Sequence, residues 1–107
     1  MANEKNEVLL LRTHNCGELS AADLDTQVAL CGWVDTYRDH GGGLFIDLRD
    51  RFGLTQVVFG PDTPEVVMQL ARKLRGETVV RIEGRVARRP EGNENPKLPT
   101  GAIEIRA

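Results

Sequence analysis

The sequence predicts an all-β domain, a five-stranded Greek-key barrel with one helix between its third and fourth strands. Two observations support this fold class. Runs of alternating apolar and polar residues, separated by glycine-rich turns, recur along the chain, and one stretch with helical spacing follows the third run. The chain of 107 residues has the size of one domain and leaves no room for a second.

The first ten residues differ from the rest in being mostly polar, and we expect residues 1–10 to be a flexible extension of a barrel formed by residues 11–107. The only apolar run there, Val8 to Leu11, is too short for a signal-peptide core or a membrane span. The sequence therefore predicts a cytoplasmic protein with no membrane partner.

The first two strands are predicted as a hairpin. The first runs from Gln27 to Arg38, and Gly32 in its interior suggests a bend or bulge. Residues 39–43 contain three glycines, which allow the positive φ angles of a turn, and no helix start follows them, as a phosphate-binding loop would require. The second strand is predicted from Leu44 to Arg49.

A third strand, Leu54 to Phe59, follows the turn at residues 50–53. A helix then begins at Pro64, with Asp62 or Thr63 as its cap, and ends before Gly76. Its apolar residues recur at helical spacing and are predicted to face the core: Val66, Val67, Leu70, Ala71 and Leu74.

The fourth and fifth strands are predicted at residues 78–88 and 102–106, joined by a long polar loop rich in turn-forming residues. Three strands, a helix and two further strands are the element order of the OB-fold. OB-folds bind oligonucleotides on the face of strands 2 and 3, between the loop that joins strands 1 and 2 and the loop that joins strands 4 and 5.

Phe45 is the most informative residue for function. Leu44, Ile46 and Leu48 point to one face of the second strand, so Phe45 points to the other face, among charged residues. One interpretation is an exposed ring without a role, or one covered by a loop or a neighbouring domain. The other is a platform on which an unpaired base stacks, and the position of Phe45 on the OB-fold binding face favours it.

Other candidates surround Phe45 in the predicted barrel. Arg38 and the pair Arg88-Arg89 would concentrate positive charge there, although each is also explained as an ordinary exposed charge. Gln56 has the outward phase of its strand and can donate to and accept from a base edge. Glu104 either accepts from the N1-H and amino group of a guanine or forms a salt bridge with Arg81 or Arg85.

The sequence gives little support for catalysis or for a metal site. Asp47 and Asp50 are most simply interpreted as solvated charges, and no phosphate-binding loop or nucleophile motif is present. The two cysteines and two histidines have no metal-ligand spacing, and both thiols are expected to be reduced. A net charge of −2 argues against a sequence-independent nucleic-acid coat protein, so any site for a polyanion must be local.

Several motifs together resemble one family. CGWV, RDHGG, FIDLRDR and RRPEGN, with a final TGAIE, are similar to the N-terminal anticodon-binding domain of bacterial aspartyl-tRNA synthetases, which are class II enzymes. The resemblance covers about residues 11–106. The chain departs from the family pattern at Thr36 and Tyr37, where two arginines are usual, and at Phe52, where a polar residue is common; the first departure weakens the expected hold on the phosphate backbone.

The resemblance implies roles for particular residues. Phe45 would stack on an anticodon base, Gln56 would read the central uracil, and Glu104 would recognise the guanine at the first position or its queuosine derivative. Arg38 would support the loop. The third base would be approached by residues of the two loops: His40, Arg89, Gly92, Asn93 and Asn95.

The resemblance also implies a longer, homodimeric parent enzyme that attaches aspartate to tRNA(Asp) through an aspartyl-adenylate. Its ATP and Mg²⁺ would bind in a catalytic domain that this chain does not include, and the chain itself would have no cofactor and no activity. His40 and Gly92 suggest the relaxed type that also charges tRNA(Asn), with turn residues that contact no base as the alternative. A different function class is a free-standing OB module that binds single-stranded nucleic acid or a protein.

Overall fold

A computed structural model describes residues 11–39 and 43–107. The expected flexible extension at residues 1–10 and the histidine at position 40 lie outside these ranges. Within these ranges, five strands and one helix form the fold, together with a short 3-10 helix before the first strand. Their bounds are β1 Gln27–Asp39, β2 Leu44–Asp50, β3 Gly53–Phe59, α1 Glu65–Arg72, β4 Val79–Arg88 and β5 Ile103–Arg106.

The strands close into a barrel in the order β1, β2, β3, β5, β4, with β4 pairing back onto β1. All pairs are antiparallel except β3 with β5, which is parallel. The helix α1 lies between β3 and β4 in the chain. The predicted OB-fold is confirmed, with each strand within about two residues of its predicted bounds.

The alternating pattern correctly predicts which side chains face the barrel interior. Leu44, Ile46 and Leu48 of β2 are at most 2% exposed, whereas Phe45 is only partly buried. Among the described residues the interior is mostly aliphatic; Phe59 contributes a buried ring, Cys16 and Met68 contribute sulfur, and the Thr55 hydroxyl donates to the Cys16 carbonyl. Strands β1, β4 and β5 complete the core with Val28, Leu30, Val34, Ile82, Val86, Ile103 and Ile105.

The irregularity in β1 lies at Asp35 and not at the predicted Gly32. Val34 pairs with Leu48 while Thr36 pairs with Asp47, so β1 has one extra residue between them. Gly32 is required for a different reason: a Cβ at this position would lie 2.4 Å from the carbonyl oxygen of Arg49. The glycine thus allows close approach of the two backbones, and the bulge follows it.

The helix differs from its prediction in the residues that it buries. Met68 and Ala71 are buried, and Val67 and Leu74 pack partly against the core, but Val66 and Leu70 are 67% and 63% exposed. The apolar arc of α1 is therefore wider than the stripe that contacts the barrel. The predicted caps are also wrong, because α1 has no side-chain cap. Instead, the Thr63 hydroxyl donates to the carbonyl oxygen of Ala107.

The loop between β4 and β5 is folded onto itself. The backbone N–H of Asn95 donates to the Gly101 carbonyl at 2.9 Å. The Thr100 hydroxyl donates to the Leu54 carbonyl. Gly101 is required here, because a Cβ would lie 1.7 Å from the carbonyl oxygen of Asn95. Within residues 11–39 and 43–107, no helix has the length and apolarity needed to cross a membrane.

Candidate nucleic-acid interface

A polar network built around Gln56 lies on the outer side of the barrel wall. The Gln56 amide nitrogen donates to Oε1 of Glu104 at 3.1 Å, and its oxygen accepts from Arg38 at 3.3 Å and from Arg89 at 3.2 Å. Guanidinium groups only donate and an ionised carboxylate only accepts, so this arrangement permits a single orientation of the Gln56 amide. The amide keeps a second N–H that has no partner among the described residues.

Arg38 is held in place by two acceptors on neighbouring strands. Its Nη1 lies 2.8 Å from Oδ2 of Asp47, and its Nη2 reaches Gln56. The bulge at Asp35 makes this possible, because without it the period-two pattern would turn Arg38 toward the barrel interior together with Val34. In the observed register, Arg38 pairs with Phe45.

Arg89 is buried, which distinguishes it from the exposed Arg88 beside it. Its Nε donates to the Ile103 carbonyl at 3.0 Å and its Nη1 donates to Gln56, while Nη2 has no partner among the described residues. Burial lowers the pKa of Arg89, against the opposing effect of the Asp47 and Glu104 carboxylates. The prediction that Arg89 is an exposed cation at the mouth of the loop is therefore wrong. Arg89 instead helps to position the Gln56 amide.

An open groove of about 740 Å³ lies over this network. We call it the outer groove, and its lining includes Phe45, Gln56, Val58, Pro61, Asn93, Glu104 and Arg106. Its volume is within the range of about 300–1,000 Å³ typical of ligand sites. A second groove, of about 640 Å³, lies between α1 and β4; it is mostly apolar and contains none of the predicted site residues.

Glu104 has an ion-pair partner that differs from both expected ones. Its Oε2 lies 3.4 Å from Nε of Arg106, which is two residues along the same strand and on the same face. Arg81, one of the two expected partners, pairs with Glu83 instead. Glu104 is 3% exposed and uses its other oxygen for Gln56, so both ends of the carboxylate are restrained.

The outer groove does not have the expected local surplus of positive charge. Two guanidinium groups line it, from Arg85 and Arg106, against the four carboxylates of Asp25, Asp62, Glu83 and Glu104. Arg38, which is ion-paired to Asp47, and Arg88 are not among the lining residues. Binding in this groove must therefore depend more on stacking and directional hydrogen bonds than on neutralisation of phosphates.

The predicted residues of the second loop occupy different places. Asn93 lines the outer groove, whereas Asn95 does not, and the Asn95 side-chain oxygen accepts from the Lys97 amide at 3.1 Å. Gly92 is exposed with a φ of 91°, a conformation that favours glycine. The position of His40 relative to these residues lies outside the described ranges.

Sequence reasoning missed two participants in this network and its surroundings. Asp47 was expected to be solvated, but its side chain is 15% exposed and it accepts from both Arg38 and the Thr36 hydroxyl. The sequence did carry a signal for this role of Asp47, because its side chain has the same outward phase on the second strand as Phe45. Arg106 was not singled out, although it shares a strand face with Glu104.

The residues that depart from the family pattern also have defined contacts. Thr36 accepts from Arg38 at 3.2 Å, and Tyr37 packs partly against the core. Phe52 is 52% exposed and lies close to two guanidinium groups, in the turn that follows β2. Asp50, also expected to be solvated, instead accepts from three backbone amides in this region.

Curated relatives match most of this chain but only a small part of their own length. Aspartate–tRNA(Asp/Asn) ligase from Rubrobacter xylanophilus is 57% identical over 96 residues, which are 90% of this chain and 16% of that protein. The enzyme of the same name from Rhodopseudomonas palustris strain BisB5 is 60% identical over 94 residues, again 16% of its length. The chain thus spans about a sixth of the length of the curated relatives it matches.

Solved structures show the same fold. Asparaginyl-tRNA synthetase from Pyrococcus horikoshii has a TM-score of 0.70 and 28% identity, covering 87% of this chain and 20% of that one. OBody AM2EP06, bound to hen egg-white lysozyme, has a TM-score of 0.76 and 25% identity, covering 89% and 86%. The family model described as "OB-fold nucleic acid binding domain" matches residues 28–107, and the chain therefore belongs to this tRNA anticodon family.

Proposed function

We propose that this domain recognises the anticodon of tRNA(Asp) as the N-terminal region of an aspartate–tRNA ligase. The observation that carries the proposal is that Phe45, Gln56 and Glu104 line one groove of suitable size for nucleotides. They combine an aromatic ring, an amide and a carboxylate, which are the groups needed to stack on and discriminate between unpaired bases.

Each group has a distinct task in this proposal. Phe45 stacks on one anticodon base. The second amide N–H of Gln56 donates to a carbonyl oxygen of the central uracil, in an orientation set by Arg38, Arg89 and Glu104. The Glu104 carboxylate accepts from N1-H and the amino group of the guanine at the first position.

Catalysis would then belong to the rest of a longer protein. The matched relatives are ligases, and this chain corresponds to 16% of their length. From the resemblance to class II synthetases, we assign ATP, Mg²⁺ and the aspartate pocket to the part of the enzyme that this chain does not cover, and we expect a cytoplasmic homodimer.

The parent enzyme is further proposed to accept both tRNA(Asp) and tRNA(Asn). Their anticodons differ at the third base, which residues of the two loops would approach. Gly92 has a positive φ and presents no side chain, and a histidine at position 40 can donate or accept, so both are compatible with cytosine and with uracil. The names of the matched relatives, Aspartate–tRNA(Asp/Asn) ligases, support this extension.

A panel of anticodon stem-loops tests the main proposal. The chain is titrated with stem-loops that carry GUC, CUC and GAC, which change the first and then the central base while the stem stays constant. We expect GUC to bind most tightly. Equal affinity for all three would contradict anticodon recognition and would support a general module for single-stranded nucleic acid, whereas no binding to any of them would leave a protein as the partner class.

A further inference from the structure

A cluster of one aromatic and two cationic side chains lies at the turn between β2 and β3. Phe45 lies near the opposite end of β2. The guanidinium carbons of Arg12 and Arg51 lie 5.4 Å and 5.3 Å from the centroid of the Phe52 ring. Both distances are within the range of about 6 Å for cation–π contacts. We call these three residues the Phe52 cluster. Its ring is 52% exposed, so the cluster is presented at the surface.

The turn that carries Arg51 and Phe52 is tightly built. Oδ1 of Asp50 accepts from the amides of Phe52 at 2.8 Å and Gly53 at 3.1 Å, and its Oδ2 accepts from the Cys16 amide at 2.8 Å. The segment before β1 packs closely on this turn, because a Cβ on Gly17 would lie 2.3 Å from the Phe52 carbonyl oxygen. The backbone that carries Phe52 is therefore held in position before any partner binds, which reduces the entropic cost of binding.

The Phe52 cluster has the surplus of positive charge that the outer groove does not have. Arg12 lies 3.6 Å from Asp50, but Arg51 forms no ion pair with any carboxylate in the described part of the chain. A guanidinium that stacks on a ring keeps its N–H edges available, and its planar fork fits the oxygens of a phosphate. Lys or Arg contacts to phosphates supply most of the sequence-independent affinity for nucleic acids.

We propose that the Phe52 cluster is a second RNA contact, in which Arg51 and Arg12 bind phosphate oxygens of the RNA whose bases occupy the outer groove. This rests on the proposed function and adds a division of labour to it: the groove selects the bases, and the cluster supplies electrostatic affinity. Along β2, Phe45 and Asp50 are five residues apart, about 17 Å at the rise of an extended strand, and Phe52 lies in the turn that follows. A folded stem-loop can span that distance.

The test measures the salt dependence of binding. Wild type, Arg51→Gln and the matched control Arg72→Gln are titrated with the GUC stem-loop and with a full tRNA(Asp) transcript at several salt concentrations. Arg72 is an exposed arginine on α1, so its variant changes the net charge equally. Loss of one phosphate contact should make the fall of log K with log salt less steep by about 1, and we expect this for Arg51→Gln only. The ratio of the wild-type affinity to the Arg51→Gln affinity should then change about tenfold over a tenfold range of salt.

Two further variants separate the possible outcomes. Phe52→Leu keeps an apolar side chain but removes the ring, and we expect it to weaken binding to all sequences equally. Phe45→Ala reports on the outer groove. If Phe45→Ala loses affinity while Arg51→Gln keeps the wild-type salt dependence with both RNAs, the second contact is overturned and the proposed function stays intact. An acidic protein as the true partner of the cluster would give that same overturning result. Unchanged affinity in Phe45→Ala would count against the proposed function instead.

Discussion

Gln56 and Glu104 form a hydrogen-bonded pair that is more than nine-tenths buried although both residues lie on the outer side of the barrel strands. Buried polar groups are costly unless they are paired, so the pair needs its cationic neighbours. Arg38 and Arg89 donate to the Gln56 oxygen, and Arg106 lies beside Glu104. The side chains proposed to read two anticodon bases are thus oriented before RNA binds.

Removing the Phe45 ring should weaken RNA binding without unfolding the domain. We expect Phe45→Ala to cost about 1–3 kcal/mol of binding free energy for the GUC stem-loop, the usual contribution of one base stacked on an aromatic side chain. Fluorescence anisotropy measures the affinity and circular dichroism checks the fold. Leu70→Ala, at an exposed apolar position on α1, is the control. A folded Phe45 variant with wild-type affinity would remove the stacking platform.

Truncation of Gln56 should affect both stability and binding. Gln56→Ala leaves Arg89 Nη1 and Glu104 Oε1 without their partner in a buried setting, and we expect a loss of about 1–3 kcal/mol of unfolding free energy. Urea denaturation measures this loss. Gln69→Ala, at an exposed position on α1, should change stability by less than about 0.5 kcal/mol. Equal stability of the two variants would contradict the network.

The buried thiol of Cys16 should make stability depend on pH above neutrality. Burial, followed by the charge of Asp50, raises the pKa of Cys16 well above its usual range. The unfolded thiol ionises near pH 8.5, so above that pH the folded state holds a proton that the unfolded state has lost. Stability is therefore full below about pH 8.5 and falls by up to about 1.4 kcal/mol per pH unit above it.

Urea titrations at pH 7.5, 9 and 10 measure the effect of this thiol. Because other groups also titrate in this range, Cys16→Ala is the reference, and only the difference between the two pH profiles is assigned to Cys16. We expect Cys16→Ala to lose less stability than wild type between pH 9 and 10. Parallel profiles would show that the thiol does not hold its proton in the folded state.

Substitution of Gly101 should disturb the loop that carries Asn93. Its Cβ would overlap the Asn95 carbonyl oxygen, so the backbone must move, and we expect Gly101→Ala to lose about 1–3 kcal/mol of stability. Gly76→Ala is the matched control, because its Cβ would meet nothing within 4 Å. Thermal denaturation compares them, and a Gly101 variant as stable as the Gly76 variant would contradict this loop conformation.

The proposed relaxed specificity gives a prediction for His40. Wild type should bind stem-loops ending in GUC and GUU with similar affinity, and His40→Leu should change the ratio of the two affinities because a donor and acceptor near the third base is lost. Gly92→Ala is a second probe from the other loop. Strong rejection of GUU by wild type, or an unchanged ratio in both variants, would show that these residues do not contact the base.

The sequence by itself determined the fold and the outward placement of the main candidate residues. Side chains on a strand alternate with a period of two, which is a local property, so Phe45 and Gln56 could be assigned to the outer side from their neighbours alone. The same reasoning gave the inward residues of β2. The order of strands and the single helix then sufficed to identify the barrel.

Only the tertiary structure decided how these residues are partnered. The bulge at Asp35 turns Arg38 outward, and it depends on the pairing of β1 with β2 across the hairpin. The buried Arg89 guanidinium donates to the side-chain oxygen of Gln56 and to the Ile103 carbonyl, both far away in the chain. The exposure of Leu70 depends on how narrow a stripe of α1 the barrel covers. Each of these outcomes depends on contacts between distant segments, which a local pattern of residues does not contain.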